Sequence, residues 1–195
     1  MARPEVKEER REQILSAFEV CVAKYGVEGA TLARTAEEAG LARPLVRHNV
    51  GNRDDLVDAL VDRFLKNSRS AMDGLLEALP SQHRAKTAVE WLFDPQYSDA
   101  KLIRVSYALI THSSENAEVA DKMQLWLKDF ISALDTLLAE EFPNADPEKV
   151  TAVANGITGI YFNVESLQTL GAMDELVAAS KQAALILLNS LEAGR

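Results

Sequence analysis

The sequence predicts an all-α protein of nine helices, and three observations carry that prediction. Apolar residues recur at helical spacing from Ile14 to Leu191. Alternation of the strand kind is sustained nowhere, and no repeat or low-complexity tract interrupts the pattern. Glycine, proline, threonine and asparagine stand between the periodic stretches, where helices start and stop.

The first helix is expected over 4–25. Ile14, Phe18, Cys21, Val22 and Tyr25 share one face, Pro4 is tolerated in the first turn and Gly26 follows as a C′ residue. Thr31 reads as the N-cap of a second helix that buries Leu32, Ala36 and Ala39 and ends at Gly40. The third helix, 43–50, is short; Pro44 lies near its start, Val46 and Val50 face inward, and Gly51 ends it. Asn52 caps a long fourth helix whose buried stripe is Leu56, Leu60, Phe64 and Leu65. Beyond Pro80, further helices are expected near 81–93, 98–112, 114–142, 147–170 and 173–191. No flexible linker is visible, so the fourth helix is expected to join the N-terminal part to the rest as one rigid piece.

Composition limits what such a protein does. The chain has 195 residues, 47% hydrophobic and 26% charged, enough for a packed core. Its net charge of −9 rules out a general polyanion binder. That charge is uneven: residues 1–53 carry +1 and residues 54–195 carry −10, and the window 39–53 holds Arg43, Arg47 and Arg53 with no acid. Cys21, the single cysteine, excludes an intrachain disulfide, and no CxxC-type zinc spacing occurs. The longest apolar run, 183–188, is far below the roughly 18 residues of a spanning helix. The start, 1–12, is charged rather than apolar, so a cytoplasmic protein without a signal peptide is expected.

The second and third helices, joined by Gly40-Leu41-Ala42, have the helix-turn-helix arrangement. At ~1.5 Å per residue the third is about 10–12 Å long, matched to a major groove roughly 12 Å wide. Arg43, Leu45, Arg47, His48 and Asn49 are left outward or at its edges. Two features oppose a purely structural helix. Arg43 sits at the N-terminus, where the macrodipole disfavours a cation, and Arg43 and Arg47 form a like-charge i,i+4 pair. An external anion removes both penalties, and DNA is an anion of the right shape.

Here the sequence resembles a known family. Gly29-Ala30-Thr31, the 36–41 stretch AEEAGL, the helix after it and the 51–56 stretch GNRDDL are similar to the N-terminal domain of TetR-type transcriptional regulators, over about residues 8–65. Residues 66–195 match only in length and helix layout. Thr35, Arg47 and Val50 stand where the family pattern usually has an aliphatic residue, a Tyr and a Phe. The resemblance implies phosphate contacts from Thr31 and Arg53, base-edge contacts from Arg43, Pro44 and Leu45, and backbone or base contacts from Arg47, His48 and Asn49. An arginine there could read guanine O6 and N7 bidentately, worth about 1–3 kcal/mol of discrimination. Arg10 and Arg11, beside Glu8, Glu9 and Glu12, read as a solvated face. The expected division is a DNA-binding domain over 1–51 and an effector-binding and dimerisation domain over 52–195.

Nine of the twelve aromatic residues fall between 91 and 162, which reads either as core or as an apolar cavity with polar handles. The family uses this domain to hold an effector. The candidate ligand residues are Trp91, Tyr107, His112, Trp126, Phe130, Asn155, Tyr161 and Glu165, with Asn163 as a further handle. Val150, Val153, Ile157, Ile160, Val164 and Leu167 form one stripe, and Leu176, Leu185, Leu188 and Leu191 another. These stripes either make a four-helix homodimer bundle or close the chain's own core. Gly156 and Gly159, each costing about 1 kcal/mol in a helix interior, point to a close helix approach or to room for a ligand.

The function expected is a homodimeric repressor, reading a pseudo-palindromic operator and released by a small-molecule effector; activation is the other sign the same parts allow. The alternative is a helical ligand-binding or interaction protein without DNA binding, which leaves Arg43 and Arg47 unexplained. An enzyme is not expected. HExxH, GxSxG and phosphate-binding glycine loops are absent, no cofactor or metal spacing occurs, and His48, His83 and His112 lie far apart in sequence.

Overall fold

The computed structural model describes residues 3–167, 170, 171 and 173–192, with the backbone alone for 3–5. Among the described residues there are nine α-helices and no strand: α1 (Arg3–Gly29), α2 (Leu32–Glu38), α3 (Arg43–Val50), α4 (Arg53–Ala78), α5 (Arg84–Leu92), α6 (Ala100–His112), α7 (Ala117–Glu141), α8 (Pro147–Leu167) and α9 (Asp174–Asn189). A 3-10 turn, Pro95–Tyr97, precedes α6. No helix among these residues is long and apolar enough to cross a membrane. Residues 168 and 169, in the end expected for the eighth helix, lie outside the described residues.

Local side chains account for where the helices begin. The regular part of α1 breaks at Gly26, whose φ of 71° is the left-handed turn a C′ glycine supplies. The helix expected from 81 begins three residues later, because His83 is itself left-handed (φ 55°) and the Glu141 carboxylate accepts the Ala85 N–H at 2.6 Å. An anion there also offsets the positive helix end. Likewise α7 starts at 117, not 114: the Asn116 side-chain oxygen accepts the N–H groups of Glu118 and Val119 and acts as the cap. Asp146 does the same before Pro147, the first residue of α8.

The chain packs as two compact units. Unit one comprises residues 1–69 and 100–124; unit two comprises 70–99 and 125–195. In unit one, α1 packs against α2, α3 and α6. Its core includes Ile14, Phe18, Val46, Leu56, Leu60, Val61 and Leu109, all about fully buried. Glu19, 6% exposed, lies 3.5 Å from Arg63 and 3.4 Å from Lys101, so α1, α4 and α6 share one ion network. Arg63 also binds Glu12 and Ser16. The packing boundary falls within α4 and α7, whereas the functional boundary expected from sequence lies between 51 and 52.

In unit two, α5 packs on α9 and α8 packs on α9. Val150, Val153, Ile157 and Val164 of the first stripe, with Leu188 and Leu191 of the second, are buried in this unit's own core. A Cβ on Gly156 would come within 2.9 Å of Leu187 Cδ1, so a close approach of α9 explains that glycine. Gly159 is exposed and would meet nothing within 4 Å.

Candidate nucleic-acid interface

The turn between α2 and α3 is built from its backbone. Thr31 is the N-cap of α2, its hydroxyl accepting the Arg34 N–H at 3.3 Å. At the other end, Gly40 N–H donates to Glu37 O and Leu41 N–H to Ala36 O, with Gly40 at φ 65°. That crossed pair is a Schellman motif, and only a residue tolerant of positive φ sits there without strain. Gln13 of α1 donates to Ala39 O at 2.8 Å and pins the turn to the first helix. Thr35, buried in the place of an aliphatic residue, remains compatible with that site because its hydroxyl donates to Thr31 O at 3.0 Å.

Helix α3 has the bounds expected, and one residue anchors it: Val46, with none of its surface exposed. Val50 is half-buried at the end. Arg43, Pro44, Leu45, Arg47 and His48 are exposed, and Asn49 is half-buried with its amide donating to Leu45 O at 2.8 Å. Neither Arg43 nor Arg47 has an ion-pair partner among the described residues. Ala42 offers no side-chain cap, Pro44 has no N–H to present, and the Leu45 and Val46 N–H groups both donate to Ala42 O. The outward face is therefore a compact positive surface with one large apolar residue, Leu45, 39% exposed.

Arg53 is placed differently. Its guanidinium donates to Val27 O at 2.7 Å and lies 3.0 Å from Glu28 Oε1, tying the start of α4 to the end of α1. The same carboxylate oxygen is 3.0 Å from Nδ1 of His112. Hydrogen bonding from Arg53 is the main cause that holds the Glu28 carboxyl below its ordinary range; burial opposes it, and the charges of Arg53 and His112 add to it. Glu28 was no sequence candidate. Nothing local marks it; only its tertiary neighbours do.

Of the expected effector residues, Tyr107 and His112 belong to unit one and the other six to unit two. In unit two, Phe130 stacks on Tyr161 at 5.8 Å between centroids, and Phe162 meets Trp126, Phe130 and Tyr161 within 5.4 Å. Phe93 meets Tyr161 edge-on, and Trp91 stacks on Tyr97 at 4.7 Å. Glu165 is buried at 4% exposure, whereas Asn155 is exposed and donates to Thr151 O. A groove of about 360 Å³ opens between α1 and α2, lined by Cys21, Tyr25, Arg34, Glu37 and Glu38; none of the expected effector residues lines it.

No family model matches the chain. Its sequence is 23% identical to the HTH-type transcriptional regulator BetI of Vibrio atlanticus over 180 residues, 91% of this chain and 88% of that protein. It is 34% identical to the HTH-type transcriptional repressor AcnR of Corynebacterium jeikeium over 85 residues, 43% of this chain and 45% of that one. Among solved structures, a TetR transcription regulator from Haloarcula marismortui superposes with a TM-score of 0.75 at 16% identity, covering 94% of this chain and 98% of that one. The regulator FadR from Bacillus subtilis, solved with stearoyl-CoA, gives 0.67 at 21% identity over 94% and 98%. The structural likenesses speak for the fold, and the named sequence relatives speak for the role. In sequence the chain is similar to HTH-type transcriptional regulators, and its all-α fold is that of solved TetR-family regulators.

Proposed function

We propose that this regulator acts as a homodimeric repressor that reads a pseudo-palindromic operator with α3 and leaves it when a small apolar effector binds. The observation that carries the reading is the pair Arg43 and Arg47, exposed on a short helix anchored only by Val46 and without ion-pair partners among the described residues. Arg43, Pro44 and Leu45 face base edges, Leu45 suiting a thymine methyl. Arg47, His48 and Asn49 reach bases or backbone, and Thr31 and Arg53 reach phosphates. For Arg53 this requires giving up or sharing its pairing with Glu28. Residues 1–51 do the reading and 52–195 the sensing and pairing, and the protein works in the cytoplasm by binding, with no catalytic step.

Dimerisation through α8 and α9 uses faces other than the stripes buried in the unit's own core. Ala152, Asn155 and Gly159 are exposed at helical spacing on α8, and Ala178, Ala179, Ala183 and Ile186 are exposed on α9, Ile186 at 60%. Small residues there let helices of a second subunit approach closely, in a two-fold bundle. The effector is placed in unit two at the cluster of Trp126, Phe130, Tyr161 and Phe162, with Trp91 and Glu165 nearby in the same unit. A coupling of about 1–3 kcal/mol, carried by the unbroken α4, weakens operator binding 5- to 150-fold.

Fluorescence anisotropy tests this on the DNA upstream of the protein's own gene, at several salt concentrations and against scrambled duplex. Tight binding that survives competitor and weakens steeply with salt is the expected result. Equal, weak binding to both duplexes, unchanged in the Arg43→Ala/Arg47→Ala variant, overturns the reading.

A further inference from the structure

We propose that Glu28, His112 and Glu115 form a binding site for a divalent transition-metal ion of the zinc, cobalt or nickel class. The three residues meet from the end of α1, the end of α6 and the turn that follows it, all inside unit one, and each offers a ligand atom within 4.8 Å of the others. Metal–ligand bonds of about 2.0–2.2 Å bring such atoms to roughly 3.4 Å apart at tetrahedral angles, so small rotamer changes close the set. The Glu115 N–H donates to His112 O at 3.0 Å, and this turn presents both side chains from one corner.

The contact between His112 and Glu28 is the independent observation. His112 Nδ1 lies 3.0 Å from Glu28 Oε1 yet makes no hydrogen bond, although the nitrogen is shielded from solvent. A buried imidazole nitrogen held at that distance from a carboxylate oxygen without a hydrogen bond is placed to share a cation bound beside the two groups. The surroundings suit one. His112 is in the last turn of α6, the negative end of its dipole, and Glu28 and Glu115 bring two carboxylates. One imidazole with two carboxylates favours a borderline ion over calcium or magnesium, which prefer all-oxygen sets. Three protein ligands leave at least one position for water or an exogenous ligand. Arg53, donating to Glu28 Oε1, is the outer hydrogen bond that orients the carboxylate. The site stands independently of the reading of α3 and of the effector.

The test is a titration of chelator-treated, tag-free protein with Co²⁺, followed by visible absorption, and with Zn²⁺ by calorimetry. The expected result is one ion per chain, lost in His112→Ala and weakened by about tenfold or more in Glu115→Gln. Glu115 is exposed, so that variant is expected to keep the wild-type circular dichroism even where His112→Ala does not. Absence of binding overturns the proposal, as does equal binding by wild type and Glu115→Gln, which places the ion elsewhere. Binding of Ca²⁺ or Mg²⁺ in preference to Zn²⁺ overturns the assigned class.

Discussion

Asn52 and Asp55 cap one another: Asn52 Oδ1 accepts the Asp55 N–H at 3.0 Å, and Asp55 Oδ2 accepts the Asn52 N–H at 2.8 Å. This reciprocal box starts α4 at Arg53, two residues after Gly51 closes α3 at φ 82°, so the end of α3 and the start of the long helix are set together. A Cβ on Gly51 would lie 2.2 Å from Asp55 Oδ2. Gly51→Ala therefore meets both a positive φ and a clash with the cap, and is expected to destabilise by about 1–3 kcal/mol. Asp55→Ala, which loses the cap alone, is expected to cost about 1 kcal/mol. Urea unfolding of both variants checks the order; an unchanged midpoint for Gly51→Ala contradicts it.

Replacing Arg43 and Arg47 by Ala removes charge from an exposed face and leaves Val46 in place. Thermal stability should stay within about 0.5 kcal/mol of wild type, as for surface changes generally. Operator affinity should fall by roughly 1–3 kcal/mol for each arginine that reads a base, and each lost phosphate contact lowers the salt slope by about one. Salt-dependent anisotropy separates these two kinds of contact.

Arg63 and Glu19 stand 3.5 Å apart, with Glu19 almost wholly buried. Arg63→Met leaves that carboxylate with Lys101, a half-exposed partner, and is expected to cost roughly 2–4 kcal/mol, since an uncompensated buried charge is expensive. Adding Glu19→Gln should restore part of the loss. A double-mutant cycle on denaturation midpoints measures the coupling, and strictly additive losses contradict it.

Cys21 is 1% exposed, and burial first, then the charge of Glu38, push its thiol pKa upward. Folded protein should react slowly with a thiol reagent at neutral pH and fast once denatured. The sign for stability follows. A raised folded-state pKa contributes stability that is complete below the unfolded thiol's pKa and is lost as pH rises toward the folded value. Cys21→Ala should therefore show a shallower alkaline decline in stability than wild type.

The helix-turn-helix segment was legible in the sequence because its determinants are local. Thr31, Gly40, Gly51 and Asn52 act on groups within five residues of themselves, and the resulting helix, 43–50, has the bounds its sequence predicts. The misplaced starts of α5 and α7 have causes of different range. Asn116 is a local cap, whereas the cap on α5 comes from Glu141, far along the chain. Periodicity also marked the apolar stripes of α8 and α9 correctly as stripes. It could not say what they face, and the structure buries Val153, Ile157 and Leu188 within the chain's own unit.

The sequence by itself determined the all-α class, the position of α3 and the set Arg43, Leu45, Arg47, His48 and Asn49 on its outward side or edges, of which Asn49 is half-buried, since caps, glycine turns and helical spacing act over one or two turns. Only the tertiary structure decided that Arg53 is held by Glu28 and Val27, that His112 faces that same Glu28, and that Tyr107 packs in unit one while Trp126, Phe130 and Tyr161 cluster in unit two. Those relationships join residues far apart in the chain, and a charge pair or ring contact at 3–6 Å leaves no spacing in the sequence from which to read it.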